Sequence, residues 1–185
     1  MLTFKADQPV AGNALLRAIQ EQSGARVQDC YQCGKCTAGC PVSSFMDLMP
    51  RQVMRAVQLG QADLALHSST IWLCASCETC SARCPMEIDV AGVMDALRHL
   101  ALARGIQPAE KNVVLAHRVF LESIKRLGRV YEVGVVAGLN LGTLHPFANV
   151  VDVGLPMFLR GKLNIIPERA TRGEVKRIFV NVKGT

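Results

Sequence analysis

Two stretches of the chain, CYQCGKCTAGCP at 30–41 and CASCETCSARCP at 74–85, follow one pattern, C-x2-C-x2-C-x3-C-P. Cys30, Cys33, Cys36, Cys40 and Pro41 recur 44 residues on as Cys74, Cys77, Cys80, Cys84 and Pro85, and the two sets use all 8 cysteines. A [4Fe–4S] cubane takes one thiolate per iron. Gaps of two residues let a tight loop offer three thiolates while its backbone amides face the sulfides and stabilise negative charge. The fourth cysteine stands where the chain leaves the loop, and in two-cluster proteins of this pattern it ligates the other cluster. The expected ligand sets are therefore crossed. Cys30, Cys33, Cys36 and Cys84 serve one cluster, and Cys74, Cys77, Cys80 and Cys40 serve the other. Two [4Fe–4S] clusters are the expected cofactors, and crossing keeps them close enough for a relay.

Other chemistry fits these residues less well. Structural zinc draws two C-x2-C pairs from separated segments into one tetrahedron, which a duplicated run of three C-x2 steps does not resemble. Eight cysteines in a chain without a secretory leader also point away from disulfides and towards metal in the cytoplasm. His67, His99, His117 and His145 form no spaced metal pair, and no general base, nucleophile or open metal position is in view, so no catalytic residue is expected. The two loops differ in charge. The first holds Gly34, Lys35 and Gly39 where the second holds Glu78, Thr79 and Arg83, so the two cluster potentials should differ. Trp72, two residues before Cys74, reads as a wall packed beside its cluster.

The elements that must position these loops read as helical. Ala14, Leu15, Ala18 and Ile19 give helical spacing within 10–23, stopped by Gly24. Pro50 opens a helix over 50–59 that carries Val53, Met54 and Val57 and stops at Gly60. Residues 61–73 read as a second short helix leading through Trp72 into Cys74. Asp89 is a good N-cap for a helix bearing Val90, Val93, Met94, Leu97, Leu100 and Ala101 on one face and ending at Gly105. Further helices are expected over 108–127, 130–144 and 147–160, and only 175–182 reads as extended. The expected fold is mainly α: a cluster-binding domain over 1–107 and a helical extension with a basic tail over 108–185, the latter suited to docking in a complex.

Charge is uneven along the chain. Residues 1–100 carry 8 Lys and Arg against 9 Asp and Glu, and residues 101–185 carry 13 against 6. Within the basic part, residues 160–177 have little aromatic interleaving and read as a docking tail rather than a nucleic-acid surface. The longest charge-free stretch, Val133–Val151, contains Asn140, His145, Pro146 and Asn149, so no transmembrane helix is expected. Gly134, Gly138 and Gly142 fall four apart and mark either close helix packing or a docking stripe. No nucleotide-binding glycine loop is present.

CYQCGKCTAGCP, STIWLCASCETCSARCP and the following DVAGVMDALRHLALARG resemble the small C-type iron–sulfur subunit of heterodisulfide reductase complexes over roughly residues 20–130. The resemblance implies an α-helical ferredoxin-like core round two [4Fe–4S] clusters. It also implies a non-catalytic electron relay between two partner proteins. One is an A-type protein bearing flavin and iron–sulfur clusters, and the other is a catalytic B-type protein rich in adjacent cysteines. This chain has no Cys-Cys pair, so the family's substrate chemistry is not expected here. An iron–sulfur subunit of a glycerol-3-phosphate, glycolate or succinate dehydrogenase, a free ferredoxin-like carrier and a zinc scaffold are the competing readings.

Overall fold

The computed structural model describes residues 13–143, 156, 159–160 and 172–183. Its contacts divide the chain into residues 2–111 and a second unit made mainly of 112–185.

In the first unit, α1 (Asn13–Ser23) buries Leu15, Ala18 and Ile19 and stops where Gly24 turns left-handed at φ 69°. After the first cysteine loop, its helical turn α2 (Lys35–Ala38) and a 3₁₀ turn at Ser43–Phe45, α3 (Pro50–Gln58) starts on a buried proline whose missing N–H costs nothing in a first turn. The Gln52 side chain accepts from the Met49 N–H at 2.8 Å, and Val53, Met54, Ala56 and Val57 face inward. α7 (Val90–Ala103) is the central element. Asp89 caps it, accepting from the Gly92 N–H at 2.9 Å, and eight of its residues from Val90 to Ala101 are buried. It packs against α1, α4 (Ala62–Leu66), α5 (Thr70–Leu73) and α6 (Thr79–Ala82). Leu97 and Leu100 are within 1 % of full burial, so truncating either to Ala would cost about 2–5 kcal/mol.

The helix expected over 61–73 is two helices. Chain direction breaks at His67–Ser69, because the Asp47 carboxylate takes the N–H groups of Ser69 (2.8 Å) and Thr70 (3.1 Å) and the Thr70 hydroxyl (2.8 Å). A new helix start is thereby capped from a segment more than 20 residues away.

The second unit contains α8 (Lys111–Leu127), α9 (Glu132–Gly142) and α10 (Arg172–Lys183). α8 ends at Gly128, φ 80°, and the Tyr131 N–H donates to the Ser123 hydroxyl at 2.9 Å, closing a helical hairpin. Here the glycine stripe finds its role. A methyl at Gly138 would come within 2.8 Å of Val119, and one at Gly142 would meet Leu115, so the stripe lets α9 approach α8. The extended segment expected over 175–182 is instead helix within α10. Its Val, Ile and Phe favour strands only weakly, and among the described residues no strand offers a ladder, so the local i to i+4 bonds win. The helix expected over 147–160 lies almost wholly outside the described residues. No described helix is long and apolar enough to cross a membrane.

Candidate metal centre

The two cysteine loops share one backbone. Gln32 and Gly34 have positive φ of 66° and 81°, and their counterparts Ser76 and Glu78 have 48° and 58°. Left-handed residues on either side of the second cysteine turn successive N–H groups towards one hollow, an arrangement that favours bound anions and iron–sulfur groups. In the first loop glycine supplies one of these positions without strain. In the second, Glu78 adopts it at a cost of about 1 kcal/mol.

Each loop runs into a single helical turn, α2 or α6, and these two turns pack on one another. At their ends the repeat positions Gly39 and Arg83 meet, and a methyl on Gly39 would lie 2.8 Å from Arg83 Cδ. The contact brings the two exits, Cys40 and Cys84, together and sends each past the other motif. As a result, one hollow is lined by Cys30, Cys33, Cys36 and Cys84, and a second by Cys74, Cys77, Cys80 and Cys40. Their empty volumes, open mouths included, are about 320 and 380 Å³.

The helices after the motifs complete both hollows by a second repeat, offset by 40 residues. Met54 of α3 lines the first hollow and Met94 of α7 the second. The Arg51 N–H donates to the Thr37 hydroxyl and the Ala91 N–H to the Ser81 hydroxyl, both at 3.1 Å. The Gln58 amide donates to the carbonyls of Val27 (3.0 Å) and Cys30 (2.8 Å). Arg98 does the same for Ile71 and Cys74 with its guanidinium, and its third arm pairs with Asp95 at 2.6 Å. Each motif's first cysteine is thus anchored from the third turn of the following helix.

The thiols differ in exposure and acidity. Cys33 and Cys77, again repeat counterparts, are exposed, and the other six are partly covered. Burial pushes the thiols of Cys36, Cys74 and Cys80 up, so metal binding at these positions must displace protons. The hydroxyl and N–H of Thr79 hold the exposed Cys77 below its usual value. Gln32 Nε2 reaches Cys30 Sγ at 3.5 Å. Among the described residues no three His, Cys, Asp or Glu side chains converge on the space of a single ion. Four thiols spread round an apolar hollow fit a cubane, whose irons each take one thiolate.

All eight cysteines of the sequence reading fall on these two hollows. Trp72 is 3 % exposed but is not among the residues lining either hollow, so it is a core residue rather than a cluster wall. His67 and His99 make hydrogen bonds to the Asp63 carbonyl and to Gln22. The anchors Gln58 and Arg98 lie off the apolar faces by which the sequence marks α3 and α7. The 40-residue offset that pairs Met54 with Met94 would have exposed them.

A family described as "4Fe-4S dicluster domain" matches residues 29–89. The chain is 38% identical over 87 residues to the C-type iron–sulfur subunit of the CoB–CoM heterodisulfide reductase of Methanopyrus kandleri, covering 47% of this chain and 45% of that protein. It is 37% identical over 125 residues to the second C-type iron–sulfur subunit of the CoB–CoM heterodisulfide reductase of Methanocaldococcus jannaschii, covering 68% and 59%. It is also 39% identical over 102 residues to the C2 subunit of the H(2)/formate:CoB-CoM heterodisulfide,ferredoxin reductase of Methanococcus maripaludis, covering 55% and 50%. The chain spans about half the length of the curated relatives it matches. The chain is thus a relative of the C-type iron–sulfur subunits of heterodisulfide reductases, built round a 4Fe–4S dicluster domain.

Proposed function

We propose that the chain is a non-catalytic electron-transfer subunit of a heterodisulfide reductase-like complex, working in the cytoplasm. Cys30, Cys33, Cys36 and Cys84 hold one [4Fe–4S] cluster, and Cys74, Cys77, Cys80 and Cys40 hold the other. Its partners are an A-type flavin/iron–sulfur protein and a catalytic B-type protein with adjacent cysteines. Residues 1–107 carry the clusters, and 108–185 dock the chain in the complex. The observation that carries this reading is the exchange of Cys40 and Cys84 between the motifs, which gives each hollow four thiols, three from one loop and one from the other.

When bound, such clusters supply one-electron transfer. The chain contributes geometry and charge. Met54, Ile88 and Val90 on one side and Met46, Pro50 and Met94 on the other limit water at the hollows. The left-handed loop residues present N–H groups that stabilise negative charge. Lys35 and Arg51 line one hollow and Glu78 the other, which sets the two potentials apart. Exposed Cys33 and Cys77 give each cluster one ligand at the surface, a short path to a partner.

Anaerobic purification with metal and sulfide analysis tests the reading. The expected result is about eight iron and about eight sulfide per chain, with a flavoprotein and an adjacent-cysteine protein in the same assembly. A colourless protein with stoichiometric zinc would contradict it, and a two-cluster chain that purifies alone would favour a free carrier.

A further inference from the structure

The two mouths through which the hollows open carry opposite charge. Round exposed Cys33 stand Lys35 and Arg51, both exposed and both lining the hollow. Arg55, one turn further along α3, is exposed and bonded at 3.2 Å to Gln58, the residue that grips the Cys30 carbonyl. Three acidic residues adjoin lining residues in sequence: Asp29 pairs with Arg26 at 3.2 Å, Asp89 caps α7, and Glu87 is exposed. Round exposed Cys77 the order reverses. Glu78 is exposed, Asp95 is 47% exposed, and its partner Arg98 is only 12% exposed beneath it. The helix position that holds Arg51 at the first mouth holds Ala91 at the second.

The first mouth also has an aromatic contact that the second lacks. Tyr31 is 61% exposed and stands in the first loop between Cys30 and the exposed Cys33. Its counterpart in the second loop is Ala75. Met86, 40% exposed just after Cys84-Pro85, adds apolar area. A rigid, half-polar ring within a rim of cations is the composition of an interface centre, where tyrosine and arginine are enriched.

We propose that the Cys33 mouth is the docking face for an acidic electron-transfer protein, with Tyr31 at its centre and Lys35, Arg51 and Arg55 as its charged rim. This inference rests on the relay reading and gives the relay a polarity: the acidic partner exchanges electrons at the Cys30–Cys36 loop, and Glu78 and Asp95 repel it from the other mouth. Exposed charges of one sign within a Debye length add together, steer association and weaken with salt.

The probe is a small acidic [2Fe–2S] ferredoxin, titrated calorimetrically into the cluster-loaded chain with both proteins oxidised, so that binding is read without electron transfer. The parent should bind with an affinity that falls steeply between about 50 and about 300 mM salt. Lys35→Glu with Arg51→Glu should weaken binding by about tenfold or more and flatten the salt dependence, and the paired Gln variants should do so by a smaller factor. Tyr31→Ala should weaken it by about fivefold and leave the salt dependence unchanged. Glu78→Lys should change the affinity by less than about twofold. An absence of binding, parent-like affinity in both charge variants, or an equal response to Glu78→Lys overturns the proposal. Iron and sulfide are counted in every sample. Their absence from the parent would defeat the relay reading itself, a failure distinct from that of the docking face.

Discussion

The two cysteine motifs are the same machine built twice with different parts. Both loops take the same left-handed turns, both pass their fourth cysteine to the neighbouring hollow, and both are gripped from the third turn of the helix that follows. What changes is charge. An uncharged amide from Gln58 holds the first loop and a guanidinium from Arg98 holds the second, while the first rim carries Lys35 and Arg51 and the second carries Glu78 and Asp95. Backbone shape is set by what a cluster needs, so it is repeated. The side chains outside the hollow are free to diverge, and they differentiate the two ends of a relay.

Exchanging the parts shows how far the likeness reaches. Arg98→Ala should cost about 3 kcal/mol in denaturant unfolding, since it strips a mostly buried donor from two carbonyls and breaks the ion pair with Asp95. Gln58→Ala should cost about 1–2 kcal/mol, because no charge is orphaned. Arg98→Gln, which installs the first motif's anchor in the second, should recover a large part of the loss. An Arg98→Gln protein as unstable as Arg98→Ala would break the equivalence of the anchors.

Asp47 serves only the second motif, by capping the turn that leads to Cys74. Partial burial pushes its carboxyl up, but hydrogen bonds from the Ser69 N–H, the Thr70 hydroxyl and the Leu48 N–H outweigh this and hold it at about 2, below its ordinary 3.8. A depressed carboxyl stabilises the fold above its unfolded value and stops doing so as pH falls through its folded one. Asp47→Asn should therefore cost about 1 kcal/mol at pH 7, because solvent screens the exposed carboxylate, and the gap between parent and variant should close as pH drops from about 4 towards 2. A gap that stays constant over that window would show that the carboxylate charge is not what holds α5.

The smallest expected effect concerns the loop residue after the second cysteine. Gly34→Ala places a side chain at φ 81° and should destabilise by about 1 kcal/mol. Glu78→Gly relieves the same conformation and should stabilise by about 0.5–1 kcal/mol. Opposite signs from the two substitutions would establish that the loops share one backbone, and equal signs would refute it.

A large part of this was legible in the sequence. The cysteine repeat and the helices Asn13–Ser23, Pro50–Gln58 and Val90–Ala103 follow from short-range spacing, which turn and helix chemistry reads directly, while the crossed ligand sets are an expectation from the rule for two-cluster motifs of this pattern. What escaped depended on distant partners. Nothing near 67–69 announces a break, because its cause is Asp47. Glu78 gives no local sign of a left-handed turn, since the loop forces it there against its own preference. The glycine stripe has one period whether it faces lipid, a partner or its own hairpin, and only Val119 and Leu115 decide. Arg51, Arg55 and Arg98 each look like ordinary helix cations until the fold sorts them into a rim and a buried anchor.

The central claim is the crossing of the fourth cysteines, and reciprocal ligand variants read by EPR test it directly. Cys33→Ser and Cys77→Ser, each at the exposed thiol of one hollow, supply the reference spectra for damage to either cluster. With the exits crossed, Cys84→Ser reproduces the Cys33→Ser spectrum and Cys40→Ser that of Cys77→Ser. If Cys84→Ser instead matches Cys77→Ser, each motif holds its own cluster and the account is wrong.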